Sequence, residues 1–351
     1  MQRCSCPGGR LHGRRLLRTG LKPAILGISG PVLTQEERAF LRRLPPAGVI
    51  LFGRNIVDPP QLASLMAELR SVLPRDAVIM VDQEGGRVAR LRPPHWASHP
   101  AAAAIGALHE RSAALGLRAA WLHGAAIGAE CLAAGFDMVA APVLDLAVPG
   151  QDRVVGDRSF GADPEAVAVL GLAMADGMQA GGVIPVAKHA PGHGRARMDS
   201  HLGLPRVAAR GPDWSADIAP FRQTAGRIPC MMTAHILYEG LDDIRPATLS
   251  PIIVQSIIRS AIGFAGLLLS DDLAMNALQG FPLARAEAAL AAGCDIALYC
   301  PGDTAGNVAI LEAIADDGTL AERLRGLRPK PASPDLAGWL AERAALLETA
   351  P

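Results

Sequence analysis

Aromatic residues are scarce. The 4 Trp, 2 Tyr and 7 Phe make up 4% of 351 residues, which argues against an extended platform for stacking a long polysaccharide. Net charge is missing too: 34 Lys+Arg balance 34 Asp+Glu, so no global basic field recruits nucleic acid. Apolar runs are short and broken by Gly, Pro or charge, and none approaches the roughly 20 residues that cross a bilayer; no membrane association is expected. Cysteine is sparse and scattered, at Cys4, Cys6, Cys131, Cys230, Cys294 and Cys300. With no CxxC pair and no dense framework, reduced thiols in a cytoplasm fit best. Lysine is rarest among the charged residues, confined to Lys22, Lys188 and Lys330.

What is present is apolar material in quantity. Hydrophobic residues reach 50% and charged ones only 19%, which excludes an intrinsically disordered chain. Residues 1–22 carry Arg3, Arg10, Arg14, Arg15, Arg18 and Lys22 without an acid. Lacking a continuous apolar stretch, this start reads as a disordered basic extension rather than a secretory signal. The body that follows is mildly acidic. From about residue 23, short apolar runs alternate with longer amphipathic segments, the pattern of βα units. Eight strands are predicted: Ala24–Ile28, Gly48–Phe52, Ala77–Val81, Met138–Leu144, Val183–Ala187, Met231–Ile236, Gly266–Leu269 and Asp295–Tyr299. Asp58-Pro59-Pro60-Gln61 and Asp163-Pro164-Glu165 are helix starts, each with an N-cap and a proline in the first turn. Further helices are expected after Glu110, Leu249 and Gly280. The count favours an α/β fold, a single (β/α)8 TIM-type barrel over residues 23–317, with residues 318–351 as a C-terminal helical tail.

Such a barrel carries its chemistry where strands end. The third run ends in Asp82-Gln83-Glu84-Gly85-Gly86-Arg87, with Arg90 beyond. The fourth ends at Asp145 and leads to Asp157-Arg158-Ser159. The fifth runs into Lys188-His189-Ala190-Pro191-Gly192-His193-Gly194, then Asp199-Ser200-His201. The sixth ends in His235 and the seventh in Ser270-Asp271-Asp272. Singly, Asp145 or Asp271 reads equally well as an N-cap; together, these groups on one rim point to an active site. A lysine retained at position 188 in so arginine-rich a chain suggests that a compact ammonium is wanted there, bonding substrate hydroxyls and balancing carboxylates. His189 and His193 have the spacing of a zinc pair only on a helix, and Pro191, Gly192 and Gly194 disfavour a helix, so no metal is expected. Asp199 and His201, two apart on a loop, suit an acid/base pair. Ser200 as a triad nucleophile is disfavoured, since it adjoins His201 and no G-x-S-x-G elbow exists.

These motifs, in this order, resemble glycoside hydrolase family 3, and among its members the short bacterial β-N-acetylglucosaminidases of cell-wall recycling. Gly48–Asn55, Ala141–Asp145, Thr233-Ala234-His235, Pro246–Pro251 and Ala292–Asp295 support the match, which extends from about residue 23 to 315. The resemblance implies retaining hydrolysis of terminal β-linked N-acetylglucosamine, without a cofactor, from a small saccharide of muropeptide type. Asp271 matches the nucleophile, and His201 assisted by Asp199 the acid/base pair, with His201 in place of the usual second carboxyl group. Asp82, Arg90, Arg158, Lys188 and His189 match sugar-binding positions, with His235 at the edge. A monomer or weak homodimer is expected. Two departures stand out. Ala190 replaces a common phenylalanine, and Arg195-Ala196-Arg197 occupies positions that are usually small or acidic, so these arginines are either solvated or placed to favour an anionic leaving group. Phosphorolysis, which a histidine acid/base would tolerate, and a catalytically silent saccharide-binding barrel are the alternatives.

Overall fold

A computed structural model describes residues 20–148, 154–196, 198, 200, 203–329 and 334–348. Ten strands occur among them: β1 (Lys22–Gly27), β2 (Pro46–Leu51), β3 (Val78–Val81), β4 (Met138–Val139), β5 (Ile184–Ala190), β6 (Arg206–Ala208), β7 (Cys230–Thr233), β8 (Leu237–Glu239), β9 (Leu267–Leu269) and β10 (Ala297–Tyr299). Eight form one parallel sheet in the order β10-β1-β2-β3-β4-β5-β7-β9. A parallel bridge from Leu269 to Ile296 joins its two ends, so the sheet closes into a TIM-type barrel. All eight strands expected from the sequence are in it. β6 and β8 pair separately as a small parallel ribbon.

The apolar runs are continuous because each strand is buried on both faces. Alternate side chains serve different cores. Ile25, Ile50, Met80, Val186, Met232 and Leu298 fill the barrel interior, while Leu26, Val49, Ile79 and Ala187 face the surrounding helices. Following the same alternation, Lys188 continues the inward row of Ile184 and Val186, and Asp82 that of Val78 and Met80. Polar groups therefore sit on top of an apolar plug.

Ten α-helices are described: α1 (Gln35–Arg43), α2 (Pro59–Val72), α3 (Ala102–Arg111), α4 (Ala113–Ala133), α5 (Pro164–Ala180), α6 (Gly211–Thr224), α7 (Pro282–Ala292), α8 (Thr304–Ala313), α9 (Leu320–Leu327) and α10 (Leu336–Glu348). Asp58 caps α2 by accepting from the Gln61 amide at 2.8 Å. The Gln61 side chain accepts from the Val57 amide and donates to the Pro31 and Asn55 carbonyls, so it braces the preceding loop. Asp163 caps α5 through the Glu165 and Ala166 amides. The helix expected after Leu249 is π-wound over Ile253–Ala261, and α3 was not anticipated.

Residues 1–19 of the basic extension lie outside the described residues. Leu21 and Lys22, placed by sequence at its end, belong to the barrel: Leu21 is buried, and Lys22 Nζ donates to the Ile314 carbonyl at 2.7 Å and pairs with Asp316 at 3.0 Å. The segments after residue 317 are also bound to the barrel. Leu320 and Leu324 of α9 join the interior cluster, and α10 packs along α4. No helix among the described residues is long and apolar enough to cross a membrane.

Candidate active site

The polar strand ends surround a cavity of about 300 Å³ at the C-terminal end of the barrel, at the small end of the range for ligand cavities. Ile50, Met232 and Leu298, inward side chains of β2, β7 and β10, and Cys300 just beyond β10 contribute to its apolar lining. Asp82, Glu84, Arg90, Arg158, Lys188, His189, His193, Asp271 and Asp272 supply its polar part.

Lys188 is the hub. Its ammonium, 3% exposed, lies 3.0 Å from Asp82 and 2.7 Å from Glu84. Glu84 also takes a two-pronged bond from Arg158, at 2.8 Å from Nε and 2.7 Å from Nη2, and Asp82 accepts from Arg90 at 3.2 Å. Burial alone would raise the carboxyl pKa values. The adjoining cations outweigh it, holding Glu84 down at about 2 and Asp82 below the usual carboxylate range. Burial likewise disfavours the Lys188 charge, but Asp82 and Glu84 overcome it and raise its pKa. The site is thus a network of fixed ions whose remaining donor capacity faces the cavity.

Asp145 organises the opposite wall. Buried beneath the β5 end, it accepts from the His189 amide at 3.2 and 3.3 Å, the His193 amide at 2.7 Å and His189 Nδ1 at 2.7 Å. Burial pushes its pKa up, but His189 and these hydrogen bonds bring it below the ordinary value. An ionised carboxylate only accepts, so His189 carries its proton on Nδ1 and, when neutral, has an acceptor at Nε2. Burial lowers the His193 pKa to about 4, against the pull of Asp145 and Asp271, and this ring is neutral at pH 7.

Asp271 follows β9 and lines the cavity. Its amide donates to Thr233 Oγ1 at 3.3 Å, and its Oδ1 accepts from the Asp272 amide at 2.8 Å. Burial acts to raise its pKa, but nearby His189 and His235 lower it, so the group is a carboxylate at neutral pH. No ion pair among the described residues engages it. A carboxylate kept ionised by histidines and outside the salt-bridge network retains electron density for attack on an electrophilic carbon.

Asp82, Arg90, Arg158, Lys188, His189 and Asp271 therefore converge on one cavity. His235 does not join them. It is fully buried, with Nδ1 2.8 Å from Thr248 Oγ1 and Nε2 2.8 Å from the Asp272 carbonyl; both ring nitrogens are committed to bracing the loop behind Asp271. Its expected substrate-binding place is corrected accordingly, because β7 ends beneath that loop rather than in the cavity. Asp199 and His201, like Arg197, lie outside the described residues. Ser200 between the pair is buried against the cavity, its Oγ 3.3 Å from His193 Nε2 and its carbonyl accepting from the Ala277 amide at 3.2 Å.

Arg195 neither floats in solvent nor faces the cavity as the leaving-group reading required. It is bound to α6 through Asp217, at 2.9 Å, and Asp213, at 3.3 Å. Ala190 is fully buried in the core, and its carbonyl accepts from Ala234 at 2.7 Å, so the smaller residue leaves the β5 to β7 connection bonded. Two groups that sequence reasoning did not assign matter here. Glu84 stands two residues beyond Asp82, a spacing that could have found it. Asp145, equally readable as a helix cap, caps nothing.

Residues 22–324 match the family model of the glycosyl hydrolase family 3 N-terminal domain. The chain belongs to glycosyl hydrolase family 3. It is accordingly a glycoside hydrolase, as its motifs implied, and the family's members include close matches in sequence and in shape. A β-hexosaminidase of Aromatoleum aromaticum is 43% identical over 285 residues, spanning 80% of this chain and 79% of that protein. A β-hexosaminidase of Pseudomonas aeruginosa is 39% identical over 309 residues, spanning 87% and 90%. Among solved structures, NagZ from Neisseria gonorrhoeae in complex with N-trifluoroacetyl-D-glucosamine superposes with a TM-score of 0.84 at 34% identity, covering 95% of this chain and 99% of that one.

Proposed function

We propose that this family 3 enzyme is an exo-acting β-hexosaminidase that removes terminal β-linked N-acetylglucosamine from small saccharides. Muropeptide-type fragments of peptidoglycan recycling are the proposed natural substrates. The observation that carries the reading is the cavity itself: Asp271, ionised and outside the ion-pair network, shares a small closed-ended space with Arg90, Arg158, Lys188 and His189. Its size suits one terminal sugar ring. Asp82 and Glu84 accept from sugar hydroxyls while the cations donate, and the apolar lining accommodates carbon faces.

The reaction proceeds with retention. Asp271 attacks the anomeric carbon as the bond to the leaving oxygen breaks, giving a glycosyl-enzyme. His201, oriented by Asp199, donates a proton to that oxygen, then takes one from the water that releases the sugar. Holding Lys188, Asp82, Glu84 and Arg158 in one network fixes the ring against these groups before reaction, so little reorganisation is needed at the transition state. The enzyme is proposed to act without a cofactor, as one catalytic domain, in monomeric or weakly dimeric form. A cytoplasmic location is supported by Cys131, Cys230, Cys294 and Cys300, all buried free thiols.

The test is release from an aryl N-acetyl-β-glucosaminide beside the matching β-glucoside, in zwitterionic buffer with and without phosphate. Release is expected from the N-acetyl substrate alone, independent of phosphate. Asp271→Asn should reduce it by on the order of 10³-fold or more with the fold intact. Release of sugar 1-phosphate would replace hydrolysis by phosphorolysis, and an Asp271→Asn variant near wild-type activity would move the nucleophile elsewhere.

A further inference from the structure

Behind the cavity, on the far side of the β3 end, lies a buried polar cluster that the site does not use directly. Arg343 of α10 is 4% exposed, although it stands on a surface helix near the end of the chain. Its Nη1 lies 2.8 Å from His99 Nδ1 and 3.2 Å from His123 Nδ1, and its Nη2 lies 3.3 Å from the Ser98 carbonyl. Both rings are buried, and burial lowers both pKa values, with the Arg343 charge acting the same way.

The donor and acceptor roles can be worked out. A guanidinium donates and cannot accept, so both Nδ1 atoms must be lone pairs, and each neutral ring must carry its proton on Nε2. His99 Nε2–H then donates to Glu130 Oε2 at 2.9 Å, and Glu130 Oε1 accepts from the Ala97 amide at 2.8 Å. His123 Nε2–H donates to the main-chain carbonyl of Glu84 at 2.9 Å. Glu84 is the residue whose side chain grips Arg158 and Lys188. The adjoining turn is built against the same rings: the Gly86 amide donates to the His99 carbonyl at 2.9 Å, and a Cβ on Gly85 would lie 2.9 Å from the His123 ring. Elsewhere α10 is seated on α4 by Trp339 against Trp121 and by the Arg118 to Glu342 ion pair, contacts that need no arginine at 343.

We propose that Arg343 is a positioning residue for the sugar-binding network: by holding the His123 ring at Nδ1 it holds the Nε2–H against the Glu84 carbonyl, and through that contact places the carboxylate that holds Lys188 and Arg158. The inference rests on the substrate reading above for its effect on sugar binding, but not for the tautomers. With Arg343 removed, the His123 Nδ1 loses its donor and the ring its anchor; the Glu84 carbonyl still selects the Nε2–H form, because a carbonyl only accepts, but the ring is free to turn away from it. The Glu84 turn would shift. Ground state and transition state both depend on the displaced groups, so the loss should appear in KM and leave kcat nearly unchanged.

The experiment uses the full chain labelled with ¹⁵N-histidine, alongside calorimetric titration with N-acetyl-D-glucosamine. In the wild type, His99 and His123 should both give the spectrum of the neutral Nε2–H form at pH 7; an Nδ1–H form or an imidazolium at either position overturns the proposal without any variant. Arg343→Met should move the His123 ring resonances while keeping the Nε2–H form, weaken N-acetyl-D-glucosamine binding about tenfold and raise KM to match, with kcat within about twofold. Arg343→Lys, which keeps a charge and a donor, should restore most of the affinity. Unchanged His123 resonances and affinity in a folded Arg343→Met, with only a lower melting temperature, would reduce Arg343 to a rivet between helices. If the methionine variant does not fold, the wild-type spectrum and the lysine variant decide. A wild type that shows the Nε2–H form at both rings but binds no sugar overturns the substrate reading instead.

Discussion

Glu84→Gln tests the ion network at its most sensitive point. The wild-type carboxylate accepts from Lys188 and, through two bonds, from Arg158, with little access to water. Glutamine keeps the shape but brings an amide donor against one of those cations and removes the shared counter-charge. The carboxyl pKa falls from its ordinary 4.5 to about 2, which corresponds to about 3 kcal/mol of stability. Because the folded value is the lower one, this contribution is complete above about pH 4.5 and lost as the pH drops through 2. Unfolding entropy of about 2 cal/mol/K per residue gives roughly 0.7 kcal/mol/K for a chain this size, so the melting temperature at pH 7 should fall by about 4 °C. Urea unfolding of both proteins at pH 7 and pH 3 measures the difference and its pH dependence. Equal midpoints at pH 7, or a gap as wide at pH 3 as at pH 7, would refute the assignment of Glu84 as the buried counter-ion of Lys188 and Arg158.

Asp145→Asn should disturb the opposite wall. An amide nitrogen facing His189 Nδ1 or the His193 amide leaves one donor opposed, and KM is expected to rise about tenfold, with a destabilisation of about 2 kcal/mol; an unchanged KM in a folded variant would count against His189 as a sugar contact. Gly106→Ala should be far more damaging than its chemistry suggests. The added Cβ would sit 1.6 Å from the Phe160 carbonyl oxygen, so α3 must move off the loop that carries Arg158, at a cost of about 3 kcal/mol or more. Poor soluble yield and a melting temperature lowered by several degrees would be the signature, and a variant as stable as wild type would show that the close approach is not needed.

The fold was open to reading because its signals are local. Apolar runs buried on both faces announce parallel strands, Asp58 and Asp163 announce helix starts, and eight alternations close a barrel. The barrel geometry then brings strand ends together, which is why Asp82, Lys188 and Asp271 could be named from residues nearly two hundred positions apart. Side-chain direction is another matter. His235 ends a strand as His189 does, yet it spends both ring nitrogens on Thr248 and the Asp272 carbonyl. Arg195 sits in a polar loop, but Asp217 and Asp213 on α6 fix where it points. Asp145 looks like a cap until the His189 and His193 amides converge on it. No local pattern records such partners. Furthest from reach was Arg343, an arginine in a tail helix that becomes a buried donor only when α10 lies along α4. The strands, the barrel and the chemical inventory of its rim are written in residue order, because periodicity and strand position are properties of neighbouring residues. Which charges pair, which histidine faces the cavity and which tautomer each buried ring adopts emerge with packing, because they depend on the atoms that it brings within about 3 Å.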